Sequence, residues 1–129
     1  MKLHITYCSK NKTSHSEKIE AVKRYNSTRI NEIRKLAENE GDDFAILSGK
    51  YGLIPAEKPI PQYDKLLEKK DISKLLPETR NYLKAVDPQK VVYHTKKVEG
   101  VRKPYFQLIK DACIAEDIEF EKRVINRYT

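Results

Sequence analysis

The residues best equipped for chemistry in this chain stand together between positions 48 and 64, Ser-Gly-Lys-Tyr-Gly-Leu-Ile-Pro-Ala-Glu-Lys-Pro-Ile-Pro-Gln-Tyr-Asp. Ser48 and Lys50 are groups that hold an anion, and Tyr51 and Tyr63 offer rings on which a nucleobase can stack. Gly49 and Gly52 permit positive φ or a close approach of the backbone to a ligand. The same residues also read as a tight turn whose tyrosines cover the core. Two carboxylates complete the stretch. Glu57 or Asp64 can polarise a water or a ribose hydroxyl, and a carboxylate beside an anomeric carbon stabilises the positive charge of glycosidic cleavage. Asp64 reads equally as a helix N-cap.

Two shorter segments add to this set. Ser9, with the amines of Lys10 and Lys12, suits a phosphate held on the backbone amides of a strand-to-helix turn. It is neither a Walker A loop nor a dinucleotide-binding glycine fingerprint, and a solvated polar turn fits as well. His94 and Thr95 stand where a strand should end; a histidine there can exchange protons, although a lone histidine is more often structural. Cys8 has no histidine or carboxylate partner in sequence and reads as a buried thiol. His4 and His15 stand at no ligand spacing, so no metal is expected, and no motif calls for a cofactor.

The elements that must position these groups alternate between strands and helices. Leu3 to Cys8 alternates and reads as a first strand. Ser14 and Glu17 have the spacing of a capping box, before a helix with Ile19, Val22 and Tyr25 on its apolar stripe. Asn26-Ser27-Thr28 competes for backbone hydrogen bonds and can interrupt that helix. A second helical pattern runs through Ile30, Ile33 and Ala37 to Gly41, a C′ glycine. Phe44 to Leu47 reads as a buried strand. The whole of 48–64 reads as one long ordered loop, and 65–70 as a short helical turn. A helix starting at Pro77 carries Tyr82, Leu83 and Val86. Lys90 to Thr95 is a third strand, Pro104 opens a last helix through Tyr105, Leu108, Ile109 and Cys113, and Ile118 to Glu121 alternates as a final strand. This order predicts an α/β fold: a single three-layer domain over residues 1–129, with a small, mainly parallel sheet of about four strands flanked by helices. In such sheets ligands bind beyond the carboxyl ends of the strands, which gathers the segments after Cys8, Ser48 and His94 at one edge.

Composition sets the outer bounds. The 129 residues are 39% hydrophobic and 35% charged, with net charge +7 and an isoelectric point near 9.3. This excludes a disordered chain, and no run reaches the length of a transmembrane helix. With no signal-peptide core and two distant cysteines, a cytoplasmic location is expected and no membrane partner. The positive charge suits nucleic acid or nucleotide phosphates, and Lys23, Arg24, Arg29, Arg34 and Lys35 could form one basic face.

The 48–64 stretch also carries a family resemblance. Ser48-Gly49-Lys50-Tyr51-Gly52-Leu53-Ile54, with Ile60 and Tyr63-Asp64, resembles the signature of YaaA-like proteins. It is most similar to a short branch in which Ser-Ala-Lys-Tyr-Gly-Leu is followed by Pro-Tyr-Asp. Cys8-Ser9-Lys10 with Lys12, and Arg24-Tyr25, resemble that branch's opening strand and loop. The likeness covers the first half of the chain, which departs from it at Gly49 (usually Ala) and Gln62 (usually Pro). Longer YaaA proteins have Arg after that Tyr and are associated with peroxide stress and DNA binding. The short branch's association with nucleic-acid modification systems implies a nucleotide or nucleobase ligand. The combined expectation is a protein binding a nucleotide, nucleoside or nucleobase which, if an enzyme, acts on an N-glycosidic bond. Ser9, Lys10, Ser48 and Lys50 would hold phosphate or sugar. Tyr51, Gly52, Tyr63 and His94 would complete the ligand site, and Asp64 or Glu57 would serve the chemistry. The alternative is a basic, non-enzymatic nucleic-acid-binding module.

Overall fold

A computed structural model describes residues 1–9, 18–25, 27–61 and 63–125. Strand β1 (Lys2–Tyr7) leads to a two-residue strand β2 (Ile19–Glu20), a single turn α1 (Ala21–Arg24) and helix α2 (Thr28–Asn39). Then come β3 (Asp43–Ser48), β4 (Gly52–Pro55), β5 (Pro59–Ile60) and helix α3 (Ile72–Val86). Strand β6 (Lys90–Thr95), helix α4 (Lys103–Ala115) and β7 (Glu119–Val124) complete the chain. The five-stranded sheet has the order β4-β3-β1-β6-β7. β1, β3, β6 and β7 are parallel, and β4 is an antiparallel edge. The architecture is thus α/β with a mostly parallel sheet.

Side-chain alternation divides the core in two. Leu3 and Ile5 of β1, Ala45 and Leu47 of β3, and Val91 and Tyr93 of β6 pack with Leu75, Leu83, Leu108 and Ile109 of α3 and α4. Ile46 and Ile54 point the other way, against Ala21, Val22, Tyr25 and Ile30 of α1 and α2. A period of two in strands whose both faces are covered produces this arrangement.

Ser27 does separate α1 from α2: its backbone is extended, and its hydroxyl accepts the Ile30 amide at 3.2 Å. The end of α2 also matches the sequence. Gly41, at φ +70°, donates to the Glu38 carbonyl and Asp42 donates to that of Ala37, which is a Schellman closure. The capping pair Ser14 and Glu17 lies outside the described residues.

Four expectations need correction. Ile19 is not on a helical stripe: Ile19–Glu20 pairs antiparallel with Pro59–Ile60, and only the single turn Ala21–Arg24 is helical before Tyr25 turns extended. The 48–64 stretch is not one loop, because residues 49–51 make a hairpin turn and Gly52–Pro55 pairs back on β3, Ile54 opposite Ile46. Four residues with a proline at the end are too few to show a strand period, and the pairing is made by a partner rather than by propensity. Residues 65–68 are not helical; a 3₁₀ turn covers Lys69–Asp71, and the Leu67 amide is drawn off to the Tyr105 hydroxyl at 3.1 Å. Helix α3 starts at Ile72 rather than at Pro77. The proline sits in its second turn, on an exposed face where the unbonded Ser73 carbonyl can meet water.

Candidate functional site

The β3–β4 hairpin turn is built around Ser48, which is fully buried. Its Oγ accepts the backbone amides of Lys50 at 3.2 Å and Tyr51 at 3.1 Å. A hydroxyl has two acceptor lone pairs and one hydrogen, so the hydrogen remains for Tyr63, whose oxygen is 2.8 Å away. Tyr63 in turn donates to the Tyr25 hydroxyl. Burial raises the pKa of both phenols, with the nearby Cys8 adding to the effect, and they stay neutral. Ser48 therefore spends its hydroxyl on shaping the turn.

Both glycines serve the same turn. A Cβ on Gly49 would stand 2.4 Å from the Lys65 carbonyl oxygen and 2.8 Å from the Leu67 nitrogen. Gly52, at φ +73°, faces Thr79 and Leu75 across the α3 contact. Both positions fit the turn-and-packing reading, and Gly52 lies under the helix.

Between this turn and the start of α3 lies a cleft of about 440 Å³, lined by Gly49, Lys50, Tyr63, Asp64, Lys65 and residues of α3 and the preceding 3₁₀ turn, Asp71, Lys74 and Leu75. Lys65 is committed to Asp71 at 2.6 Å, and that bond, with the Glu68 amide, lowers the Asp71 pKa. Lys50 places its ammonium 5.4 Å from the Tyr51 ring centre and 5.9 Å from that of Tyr63. The two rings meet edge to face, 5.4 Å apart. Among the described residues Lys50, Lys74 and Asp64 have no ion-pair partner. The cleft thus combines two ammonium groups without an ion-pair partner among the described residues, an exposed carboxylate and the Tyr63 ring.

Of the other expected residues, Ser9 follows β1 and is half-buried, while Lys10 lies outside the described residues. Glu57 is exposed at the far end of β4, since Pro55 pairs with Ala45. There it acts with Asp43 on Tyr82, whose pKa burial pushes up to about 12. Glu57 therefore has no place beside Ser48. His94 is also elsewhere: it is buried and its Nε2 lies 2.8 Å from Nδ1 of His4, on the α2 side of the sheet. Burial above all, and then His4, bring its pKa down to about 4. In the expected basic face, Arg24 is fully buried and reaches the Ile60 carbonyl, and Arg29 is buried at the end of β1. Two of five charges are lost to that surface.

Sequence reasoning missed Lys65, Asp71, Lys74 and the His4–His94 pair. Lys74 and Asp71 are three apart at the start of α3, a spacing that would have signalled a shared face had the helix been started at Ile72. Nothing in sequence announced the histidine pair, which depends on the β1–β6 register.

A family model described as a family of unknown function, DUF6884, matches residues 4–97. The chain belongs to this family. The match begins in β1 and ends just past β6, and so includes every residue lining the cleft. No curated protein and no solved structure matches the chain.

Proposed function

We propose that the cleft between the β3–β4 turn and α3 binds a nucleotide or nucleoside. The observation that carries this reading is the grouping of Lys50, Tyr63, Asp64 and Lys74 in the lining of one cleft, with the Lys50 ammonium 5.9 Å from the Tyr63 ring centre. A planar base takes the Tyr63 ring, a phosphate takes the ammonium groups, and a ribose hydroxyl takes the Asp64 carboxylate. The cleft lies within the roughly 300–1,000 Å³ usual for small-ligand sites. Its position at the carboxyl end of β3 agrees with ligand placement in open parallel sheets, and the likeness to YaaA-like proteins lies in the same residues.

The reaction we propose for this site is hydrolysis of an N-glycosidic bond. The C1′–N bond breaks with its electron pair leaving on the base, which takes up a proton, while a water oxygen bonds C1′ and passes its proton to Asp64. The Asp64 carboxylate also offsets the positive charge developing on the sugar.

Calorimetric titration with nucleoside monophosphates and nucleosides tests binding. The wild type should bind a monophosphate more tightly than its nucleoside, and Lys50→Met should weaken the monophosphate about tenfold or more, as loss of one charged contact implies. Equal affinities in wild type and variant would overturn the assignment. Nucleic-acid binding that ignores Lys50→Met and falls steeply with salt would assign function to the basic surface instead. For the reaction, Asp64→Asn should keep binding and abolish release of free base in a chromatographic assay.

A further inference from the structure

At the opposite end of the sheet, the turn closing α2 brings two carboxylates to one imidazole nitrogen. Nε2 of His4 lies 3.1 Å from an Asp42 oxygen and 3.2 Å from a Glu40 oxygen, and the three donor atoms all fall within 4.8 Å of one another. Each is held from behind. The His4 ring is completely buried, with its Nδ1 2.8 Å from His94 Nε2. The other oxygen of Asp42 accepts the Lys2 amide at 3.0 Å. The backbone from Glu40 to Asp42 is set by the Schellman closure around Gly41. Glu40, the third donor, is partly exposed and leaves a way in from solvent.

Charge and proton counts both leave room for a cation. Two carboxylates face one lysine, Lys2, 3.6 Å from Glu40. A neutral His4 has a single N–H. If it is on Nδ1, directed at His94, the Nε2 lone pair faces two anionic oxygens. If it is on Nε2, it serves one carboxylate well and the other poorly. A metal ion bonded at about 2.0–2.2 Å to imidazole nitrogen and carboxylate oxygen sets its donors roughly 3.0–3.5 Å apart, the spacing of His4 Nε2 from each of the two carboxylate oxygens. A ligating histidine also usually donates its other N–H to an acceptor that fixes its tautomer, and His94 is placed to be that acceptor.

We propose that His4, Glu40 and Asp42 form a binding site for a divalent first-row transition metal such as Zn²⁺, with His94 orienting His4. Nitrogen with mixed oxygen donors suits that class, and three protein ligands leave coordination positions for water. The ion ties β1 to the α2–β3 turn, independently of any ligand in the β3–β4 cleft.

The test is titration of chelator-treated full-length protein with Zn²⁺, followed by calorimetry and thermal melting, with Co²⁺ used for its visible absorption. The expected result is saturable binding of one ion per chain, a raised melting temperature, and a Co²⁺ spectrum of low-symmetry nitrogen and oxygen ligation. Glu40→Gln, on a partly exposed side chain, and Asp42→Asn, which keeps an acceptor for the Lys2 amide, should each fold and weaken Zn²⁺ at least tenfold. Asp71→Asn, in the distant cleft, should not. Absence of binding in the wild type overturns the proposal and leaves a histidine ion pair, and so does binding that survives both variants.

Discussion

Replacement of Ser48 by Ala separates a turn-shaping role from a ligand-binding one. The hydroxyl makes three hydrogen bonds in a position with no solvent exposure. Its loss leaves the amides of Lys50 and Tyr51 without their acceptor and removes the donor to Tyr63. Each bond contributes about 0.5–1.5 kcal/mol net. Lys50 is exposed and its amide can be rehydrated, so the sum is about 2–3 kcal/mol. For 129 residues, an unfolding entropy of about 2.1 cal/mol/K per residue turns this into a fall in melting temperature of about 7–11 °C. Denaturant unfolding of Ser48→Ala, Tyr63→Phe and the double variant supplies the decisive measurement. The two hydroxyls share one bond, so their effects should be less than additive by about 1 kcal/mol. If Ser48 instead contacted ligand, Ser48→Ala would melt with the wild type while losing affinity. A stability loss under about 0.5 kcal/mol, or strict additivity with Tyr63→Phe, would refute the reasoning.

Two further outcomes follow from the core. His94 takes up a proton less readily in the folded protein, with its pKa near 4, than in the unfolded chain, where about 6.5 is usual. Unfolding therefore binds protons in that window, and stability should be full above about pH 6.5 and decline as pH falls towards 4. The decline is at most about 3 kcal/mol; chemical denaturation across that range should show it, and His94→Asn should flatten the slope. Cys113 is fully buried and its thiol pKa is pushed up to about 12 by burial, whereas Cys8 is half-buried. A thiol reagent should label only Cys8 in the native protein; equal labelling of both would contradict the packing of α4.

Four strands of the sheet could be read from the chain because each carries its own period or apolar run. β1, β3, β6 and β7 needed no partner to be seen, and neither did the ends of α2, where Ser27 and Gly41 act on adjacent backbone. What could not be read depends on contacts distant in sequence. β4 exists through Ile46 opposite Ile54, and the extended segment before α3 through Tyr105 holding the Leu67 amide. The same division runs through the site. Lys50, Tyr63 and Asp64 were recognised by type and do line the cleft. Ser48, Gly52, Glu57 and His94 were equally suitable by type, but register and burial direct them to the turn, to α3, to the far end of β4 and to the other face.

Arg29 shows why the cleft stands beside β3 rather than at the centre of the sheet. The chain reverses its direction of growth between β1 and β6, and ligands commonly enter at such a switch point. Here the end of β1 is occupied by a guanidinium. Arg29 donates to the Thr6 hydroxyl and, at 3.0 Å, to the Tyr7 carbonyl, and stacks 3.8 Å from the Tyr7 ring centre. No carboxylate pairs with it among the described residues. Burying a guanidinium is costly unless its N–H groups are met, and here a carbonyl, a hydroxyl and a ring meet them and fix the strand end. Among the described residues, the carboxyl end of β3 is the one beside the cleft, flanked by Lys50 and Lys74 without ion-pair partners. There Ser48 turns the chain, and Lys50 and Tyr63 line the cleft.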